Sequence, residues 1–365
     1  MESVKVPETG LVEKAKIMAL SSAIAVHKKL KRTGAPPVPQ DEYLHVPSDE
    51  HHWNESYYFN FTDPGSKIGG WTRIGILPNQ ESDIGALMLY AGGSRVLAAG
   101  QGGRTTFSVG EFKIEQLEYH CLEPLKRWRL RFNGDMADID DSRNLFEVDP
   151  DNMKFTGVEL DLALEGMSPC FDFKNTNPTA IAEMLVRAGT RFEDLREVTR
   201  VSSEHNEQPM RITGTIKIGD QEMEFQGSGQ RDHSWGVRDW SAPRLWTWLT
   251  CQFGDELAFN LSRVAIASVD LFFGFVSRGG VNYPLRRVAL ETEFESDGLT
   301  QKRLKFQIED TGGKTIEITG DVLTVAPLKL EAHGHKTLIN EALTEYHFEG
   351  KTGYGIAEYL HQLDS

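Results

Sequence analysis

The chain has 365 residues, of which 39% are hydrophobic, and this is more than one compact core usually holds, so two domains are expected. The formal net charge of -15 argues against nucleic acid and anionic membrane surfaces as partners, because both attract clustered lysine and arginine.

The first predicted element is a helix over residues 11–32, where apolar residues recur at three- or four-residue steps until Gly34 and the prolines after it end the pattern. The apolar segment Ile17–Val26 is shorter than the ~20 residues that span a bilayer. Acidic residues precede it and a lysine-rich run follows it, the reverse of a signal peptide. We therefore predict no integral membrane segment.

Three cysteines, Cys121, Cys170 and Cys251, are far apart and odd in number. This spacing predicts neither a disulfide framework nor a CxxC metal site. Reduced thiols in the cytoplasm are the simplest interpretation.

Short strands separated by tight turns are predicted from residue 55 onwards. One interruption, residues 174–209, contains a short helical pattern at 179–188 and a polar stretch at 202–209. We place a domain boundary in this interruption. The prediction is an all-β protein with a helical segment at 1–40, a first β domain at 41–185 and a second at 186–365, built as antiparallel barrels or sandwiches.

The segment Gly229–Trp240 carries most of the functional signal. It contains two Arg-Asp pairs, a histidine and two tryptophans, and Trp246 and Trp248 follow closely. Charged groups are costly to bury unless they are paired, whereas aromatic rings bring a large apolar area. The combination predicts paired charges beside an apolar surface.

The strand leading into this motif sets which way its side chains point. In a regular strand, one face carries alternate residues: Met223, Phe225, Gly227, Gly229, Arg231, His233 and Trp235. The two apolar members indicate that this face looks inward, with His233 inside and Asp232 outside. A bulge at either glycine would exchange the two faces beyond it.

Asp232 or His233 is a candidate proton donor, because a carboxyl group beside indole rings keeps its proton more readily. The rings of Trp235, Trp240, Trp246 and Trp248 could then stabilise a carbocation formed by alkene protonation, and Tyr57 could face the same cavity. The alternative is structural. Arg231 with Asp239, or Asp232 with Arg238, could form ion pairs that hold a loop, and the tryptophans could be core residues.

A metal site is not predicted. His333 and His335 have the spacing of two ligands on one strand face, but a third ligand at a recognisable spacing is missing. Solvent-facing strand histidines are the simpler interpretation.

Asp232-His-Ser-Trp-Gly236 resembles the Asp-His-(Asn/Ser)-Trp-Gly signature of the carotenoid 1,2-hydratase (hydroxyneurosporene synthase) superfamily. The longer motif from Arg231 to Trp240, with Glu55-Ser-Tyr-Tyr-Phe59, is most similar to the uncharacterised bacterial members. The resemblance implies two lipocalin-like domains and an apolar ligand held in a barrel or between the domains. It also implies that Asp232 is the proton donor.

Combined with the resemblance, the residues predict a cofactor-independent enzyme acting on an apolar isoprenoid or polyketide-like small molecule. Protonation of a C=C bond would lead to hydration or cyclisation. Asp232 is the expected acid, His233 a relay or alternative acid, and Arg231, Arg238 and Asp239 are expected to orient the motif. The alternative from another class is a non-catalytic carrier of a hydrophobic ligand. The sequence leaves the oligomeric state open.

Overall fold

The computed structural model describes residues 2–4, 10–31, 35–189, 204–237, 243–266, 269–332 and 335–363. The helices are α1 (Leu11–Lys31) and α2 (Pro178–Arg187). The strands are β1 (Glu2–Val4), β2 (Trp53–Asp63), β3 (Ile68–Ile76), β4 (Ile84–Tyr90), β5 (Val96–Gln101), β6 (Thr106–Ser108), β7 (Glu111–Ile114), β8 (Leu117–Glu123), β9 (Arg127–Ile139), β10 (Lys154–Gly166), β11 (Phe171–Asp172), β12 (Glu204–Ile218), β13 (Gln221–Val237), β14 (Leu245–Phe253), β15 (Leu257–Ile266), β16 (Val269–Arg278), β17 (Val281–Phe294), β18 (Gln301–Asp310), β19 (Thr315–Ala332), β20 (His335–Phe348) and β21 (Lys351–Gln362).

The strands form two closed antiparallel barrels. In the first, the order is β10-β12-β13-β2-β3-β4-β5-β9, and pairing of β9 with β10 closes the ring. In the second, the order is β17-β16-β15-β14-β21-β20-β19-β18, and pairing of β17 with β18 closes it. The predicted all-β, two-barrel fold with an N-terminal helix is confirmed.

The boundary between the barrels differs from the expected division at residue 185. Both β12 and β13 belong to the first barrel, where β13 pairs with β2, and the strands of the second barrel begin at β14. The motif therefore lies on the first barrel rather than on the second. Closure explains the difference, because β2 would keep an unpaired edge without a strand from later in the chain.

Strands at the junction of the barrels are buried on both faces. In β2, alternate residues such as Tyr57 and Phe59 fill the first barrel. The residues between them, such as Tyr58, join an apolar cluster with Trp248 and Ile356 of the second barrel. We call this contact region the interface. At the interface, an aromatic-rich surface of each barrel packs against the other and excludes water.

Helix α1 packs on α2 along a narrow face. Ile17 is buried, and the Ser21 hydroxyl lies 2.9 Å from that of Thr179. Several residues of the apolar repeat that predicts this helix, including Leu11, Met18 and Leu30, are exposed. The repeat thus identifies the helix but not its packed face. Neither helix in the described ranges has the combination of length and apolar character needed to cross a membrane.

The motif strand is regular. Its pairing with β12 and β2 continues without a register shift through Trp235, so the predicted alternation is confirmed and a bulge at Gly227 or Gly229 is excluded. Gly229 is needed in this strand because the neighbouring strand approaches it closely, not because it forms a bulge. A Cβ at Gly229 would lie 1.8 Å from the Asn60 carbonyl oxygen, so the neighbouring backbone leaves no room for a side chain.

Gly229→Ala is expected to lower the free energy of unfolding by about 1–3 kcal/mol, because the added methyl group forces β13 away from β2. Urea unfolding measures the effect. Gly100→Ala is the matched control, since a Cβ there meets no atom within 4 Å. Equal stability of the two variants would contradict the close approach.

Candidate functional site at the barrel interface

The motif strand presents two different chemical faces. Arg231, His233 and Trp235 point into the first barrel, and we call this the barrel face. Gln230 and Asp232 point towards the second barrel, and we call this the interface face. Asp232 lies opposite Glu207 on β12 and opposite Tyr58 on β2. One atom of a substrate therefore cannot contact both Asp232 and His233, the two predicted catalytic residues.

A buried ion pair anchors the barrel face. The Arg231 guanidinium is fully buried and pairs with the carboxylate of Glu42, which is also fully buried at the end of a 3-10 turn, Pro39–Glu42. A second guanidinium nitrogen donates to Asn206 Oδ1 at 3.1 Å and contacts Cys170 Sγ at 3.4 Å. These contacts tie the motif strand to the segment that precedes β2.

His233 belongs to a second group on the barrel face. Its Nε2 donates to Glu55 Oε1 at 2.9 Å, and His45 Nδ1 lies 2.9 Å from the same oxygen. Tyr57 stacks on the His233 ring at 4.1 Å, and Trp235 stacks on His45 at 3.8 Å. Burial lowers the pKa of His233 despite the neighbouring Glu55. The imidazole is therefore neutral at neutral pH.

The interface face carries a third group, formed by Asp232, His205 and Glu207, which we call the His205 group. His205 Nε2 lies 2.8 Å from Asp232 Oδ2 and 3.1 Å from Glu207 Oε1. Phe173 covers the imidazole ring at a centroid distance of 4.5 Å. A single ring nitrogen of His205 thus contacts two carboxylates in a region from which water is largely excluded.

Electrostatics make His205 a cation. Burial alone would lower its pKa, but the charges and hydrogen bonds of Asp232 and Glu207 raise the pKa to about 9. Burial also raises the pKa of Glu207. At neutral pH the His205 group therefore holds an exchangeable proton on a buried imidazolium, beside carboxylates that can receive it.

Residues of both barrels hold Glu207. Trp248 Nε1 donates to Glu207 Oε1 at 3.1 Å, Gln230 Nε2 donates to Oε2 at 2.9 Å, and the Asn260 amide also donates to Oε2. The Trp248 ring meets Tyr58 edge to face at 5.2 Å. Because Trp248 and Asn260 come from the second barrel, docking of the barrels completes the site.

His205→Gln is expected to remove a pH-dependent part of the stability. A histidine with a raised folded-state pKa stabilises the fold fully below its ordinary pKa of 6.5, and this contribution disappears as the pH rises through about 9. The imidazolium contributes on the order of 3 kcal/mol at the acidic end of this window. Urea unfolding of both proteins at several pH values tests this. A stability difference that stays constant across the window would contradict it.

The other predicted site residues fall into three sets. Tyr57 and Trp235 lie with His233 on the barrel side, whereas Trp248 is buried at the interface, where the half-buried Trp246 packs against the same cluster. The remaining predicted residues, Arg238, Asp239 and Trp240, lie outside the described residues, as does His333. His335 is exposed. Arg231 pairs with Glu42, a partner that the sequence analysis did not predict.

Within the part of the chain that the structure describes, two groups of side chains offer ligand atoms at metal-compatible spacing. In His45, Glu55 and His233, and again in the His205 group, three such atoms lie within 4.8 Å of one another. Hydrogen bonds already link the atoms in each group.

A surface groove of ≈ 890 Å³ lies away from these groups and is lined by residues such as Leu77, Gln80 and Gly102.

Sequence reasoning missed His205 and Glu207. They belong to Glu204-His-Asn-Glu-Gln208, which is polar on both strand faces and shows no apolar alternation. The available signal is the i, i+2 spacing of a histidine and a carboxylate, which places both on one face of a strand.

Solved structures of low sequence identity resemble this chain over most of its length. A protein assigned as AttH from Nitrosomonas europaea has 15% identity and a TM-score of 0.55, with 89% of this chain and 98% of that chain covered. CghA, solved with Sch210972, has 11% identity and a TM-score of 0.53, with 90% and 96% covered. Kievitone hydratase from Nectria haematococca has 10% identity and a TM-score of 0.49, with 89% and 93% covered.

No curated protein matches this sequence. A family model does match, over residues 38–363, which include both barrels and the motif. The chain therefore belongs to the family described as Domain of unknown function (DUF7064).

Proposed function

We propose that this protein is a cofactor-independent enzyme that protonates a C=C bond of an apolar isoprenoid or polyketide-like molecule at the interface. The observation that carries the proposal is the His205 group, a proton-bearing imidazolium held between two carboxylates and bordered by the aromatic rings of Trp248 and Tyr58. General acid catalysis needs such a proton source, positioned and kept from bulk water.

Asp232 delivers the proton in this mechanism, and His205 resupplies it. The Nε2 proton of His205 passes through Asp232 Oδ2 to one alkene carbon, where a C–H bond forms from the π electrons. The neighbouring carbon becomes a carbocation, and the His205 group has lost one positive charge. Water then adds to the cation and its spare proton returns to the group, which completes hydration. Attack by a second C=C bond, followed by proton loss to the group, gives cyclisation instead.

Aromatic faces favour the charged intermediate. Trp248 and Tyr58 are both more than nine-tenths buried and lie beside the His205 group. A cation over such a face is stabilised by up to about 2 kcal/mol when desolvated. In this mechanism His233 is neutral, lies on the opposite face of the strand and does not act on the substrate. Its hydrogen bond to Glu55 stabilises the first barrel instead.

The similarity to CghA agrees with this proposal, because that protein was solved with a bound molecule, Sch210972, on a fold that matches 90% of this chain. The similarity concerns the fold, and the choice of reaction rests on the residues described above.

Incubation with farnesol, geranylgeraniol and lycopene in D₂O tests the proposal. A C=C bond protonated by the enzyme acquires a carbon-bound deuterium, which mass spectrometry detects in the extracted product. A protein-free incubation is the control. Deuterium in any of the three products supports the enzyme, whereas recovery of a bound but unlabelled probe favours the hydrophobic carrier.

A further inference from the structure

A second pair of carboxyl groups lies at the interface, on the second barrel. Glu341 on β20 stands directly opposite Glu358 on β21, and Glu358 stands directly opposite Trp248 on β14. Glu341 is only 3% exposed. Side chains that stand directly opposite each other on neighbouring antiparallel strands have Cβ atoms about 4.5–5.5 Å apart, so the two carboxyl groups are close enough to share one proton.

One oxygen of this pair and the hydroxyl of the neighbouring Tyr58 lack partners. The Tyr58 hydroxyl and Glu341 Oε2 are buried, and neither has a hydrogen-bond partner among the residues that the structure describes. Buried polar atoms are usually paired, so such atoms require an explanation. Both lie in the apolar surroundings of Tyr90, Leu343 and Ile356, where a ligand could supply the missing partner.

We propose that Glu341, Glu358 and Tyr58 form a polar subsite in which a carboxyl pair with one shared proton, together with the Tyr58 hydroxyl, binds a hydroxyl group of the ligand. The inference rests on the proposed function for the apolar body of that ligand, and it adds a recognition site for its polar end.

The electrostatics agree with this geometry. Burial, reinforced by the charge of Glu358, raises the pKa of Glu341 well above its usual range. Burial and the nearby carboxylates likewise raise the pKa of Tyr58. Tyr58 therefore keeps its proton at neutral pH and can donate to a ligand oxygen. The proton of the carboxyl pair is shared between Glu341 and Glu358, so the unpartnered Glu341 Oε2 accepts a hydrogen bond from a ligand hydroxyl.

The subsite adjoins the His205 group. Tyr58 lies opposite Asp232 in the register of β2 and β13, and its ring contacts Trp248, the neighbour of Glu358. A molecule bound by its oxygen at Glu341 would therefore extend an alkene towards Asp232. This arrangement selects alkenes that carry an oxygen over pure hydrocarbons.

Infrared spectroscopy at neutral pH tests the shared proton without any ligand. The wild-type protein should show the C=O stretch of a buried carboxylic acid, shifted in D₂O and absent in Glu341→Gln. Glu349→Gln, on the exposed turn between the same two strands, is the control and should keep the band. If the wild-type protein lacks this band, the shared proton is refuted.

Titration with farnesol and with farnesene, followed by tryptophan fluorescence, tests the recognition. We expect the wild type to bind farnesol about tenfold more tightly, a difference typical of one or two hydrogen bonds. Glu341→Gln and Tyr58→Phe should each reduce the preference, while Glu349→Gln should not. Equal binding of both probes by the wild type, or failure to bind farnesol, overturns the subsite.

The two proposals fail in different ways. Deuterium incorporation without any farnesol preference would leave the enzyme standing and refute the subsite. A farnesol preference that Glu341→Gln abolishes, without deuterium incorporation, would leave the subsite standing and refute the enzyme.

Discussion

Glu42→Gln is expected to destabilise the protein by about 3–5 kcal/mol, because it removes the only charge that the structure pairs with Arg231 among the described residues. Both side chains are fully buried, so water cannot compensate the orphaned guanidinium. The amide can still accept one hydrogen bond but cannot neutralise the charge. Urea unfolding with a circular dichroism readout measures the loss.

Two comparisons separate charge from packing. Glu50→Gln, at an exposed position in the same segment, should leave the stability unchanged within about 0.5 kcal/mol. The double variant Glu42→Leu with Arg231→Met removes both charges and should recover most of the stability. A double variant as unstable as Glu42→Gln would show that side-chain packing, rather than the unpaired charge, accounts for the lost stability.

Asp232→Asn is expected to slow deuterium incorporation by about 10²–10⁴-fold, the usual contribution of a positioned general acid. The amide keeps the shape of the carboxyl group but cannot pass a proton from His205 Nε2 to carbon. Farnesol affinity should stay unchanged, since the substitution alters one polar atom at the edge of an aromatic site. Single-turnover incubation in D₂O provides the rate, and fluorescence titration provides the affinity.

Asp220→Asn is the matched control, because Asp220 is exposed on the turn that joins β12 to β13. It should keep the wild-type rate. A third interpretation of the motif is purely structural. In that case Asp232→Asn would lower the melting temperature and leave the rate of labelling unaltered, which would contradict the proposed role.

The orientation of the motif was predictable from local pattern. Alternation of side chains is a property of the strand itself, so Met223 and Phe225 suffice to place His233 inside the barrel and Asp232 outside it. The helix over residues 11–31 was predictable because its apolar residues recur at three- or four-residue steps, which is also a local pattern. Its packed face was not, because the position of α2 decides which side of α1 is covered.

The partners of the motif depend on contacts between distant segments. Arg231 meets Glu42 across 189 positions, and Glu207 meets Trp248 across 41. Such pairs form through barrel closure and through docking of one barrel on the other. The periodicity of apolar residues within one segment contains no information about either. For this reason the pairing of Arg231 with Glu42 was not predicted, and the motif strand was assigned to the second barrel although it belongs to the first.

By itself, the sequence determined the all-β class, most strands, the N-terminal helix and the two faces of the motif strand, since each follows from periodicity within a few residues. Only the tertiary structure brought His205 and Glu207 to Asp232, and Glu341 and Glu358 to Tyr58. Burial of these groups depends on the second barrel covering the first, and their proton affinities depend on that burial.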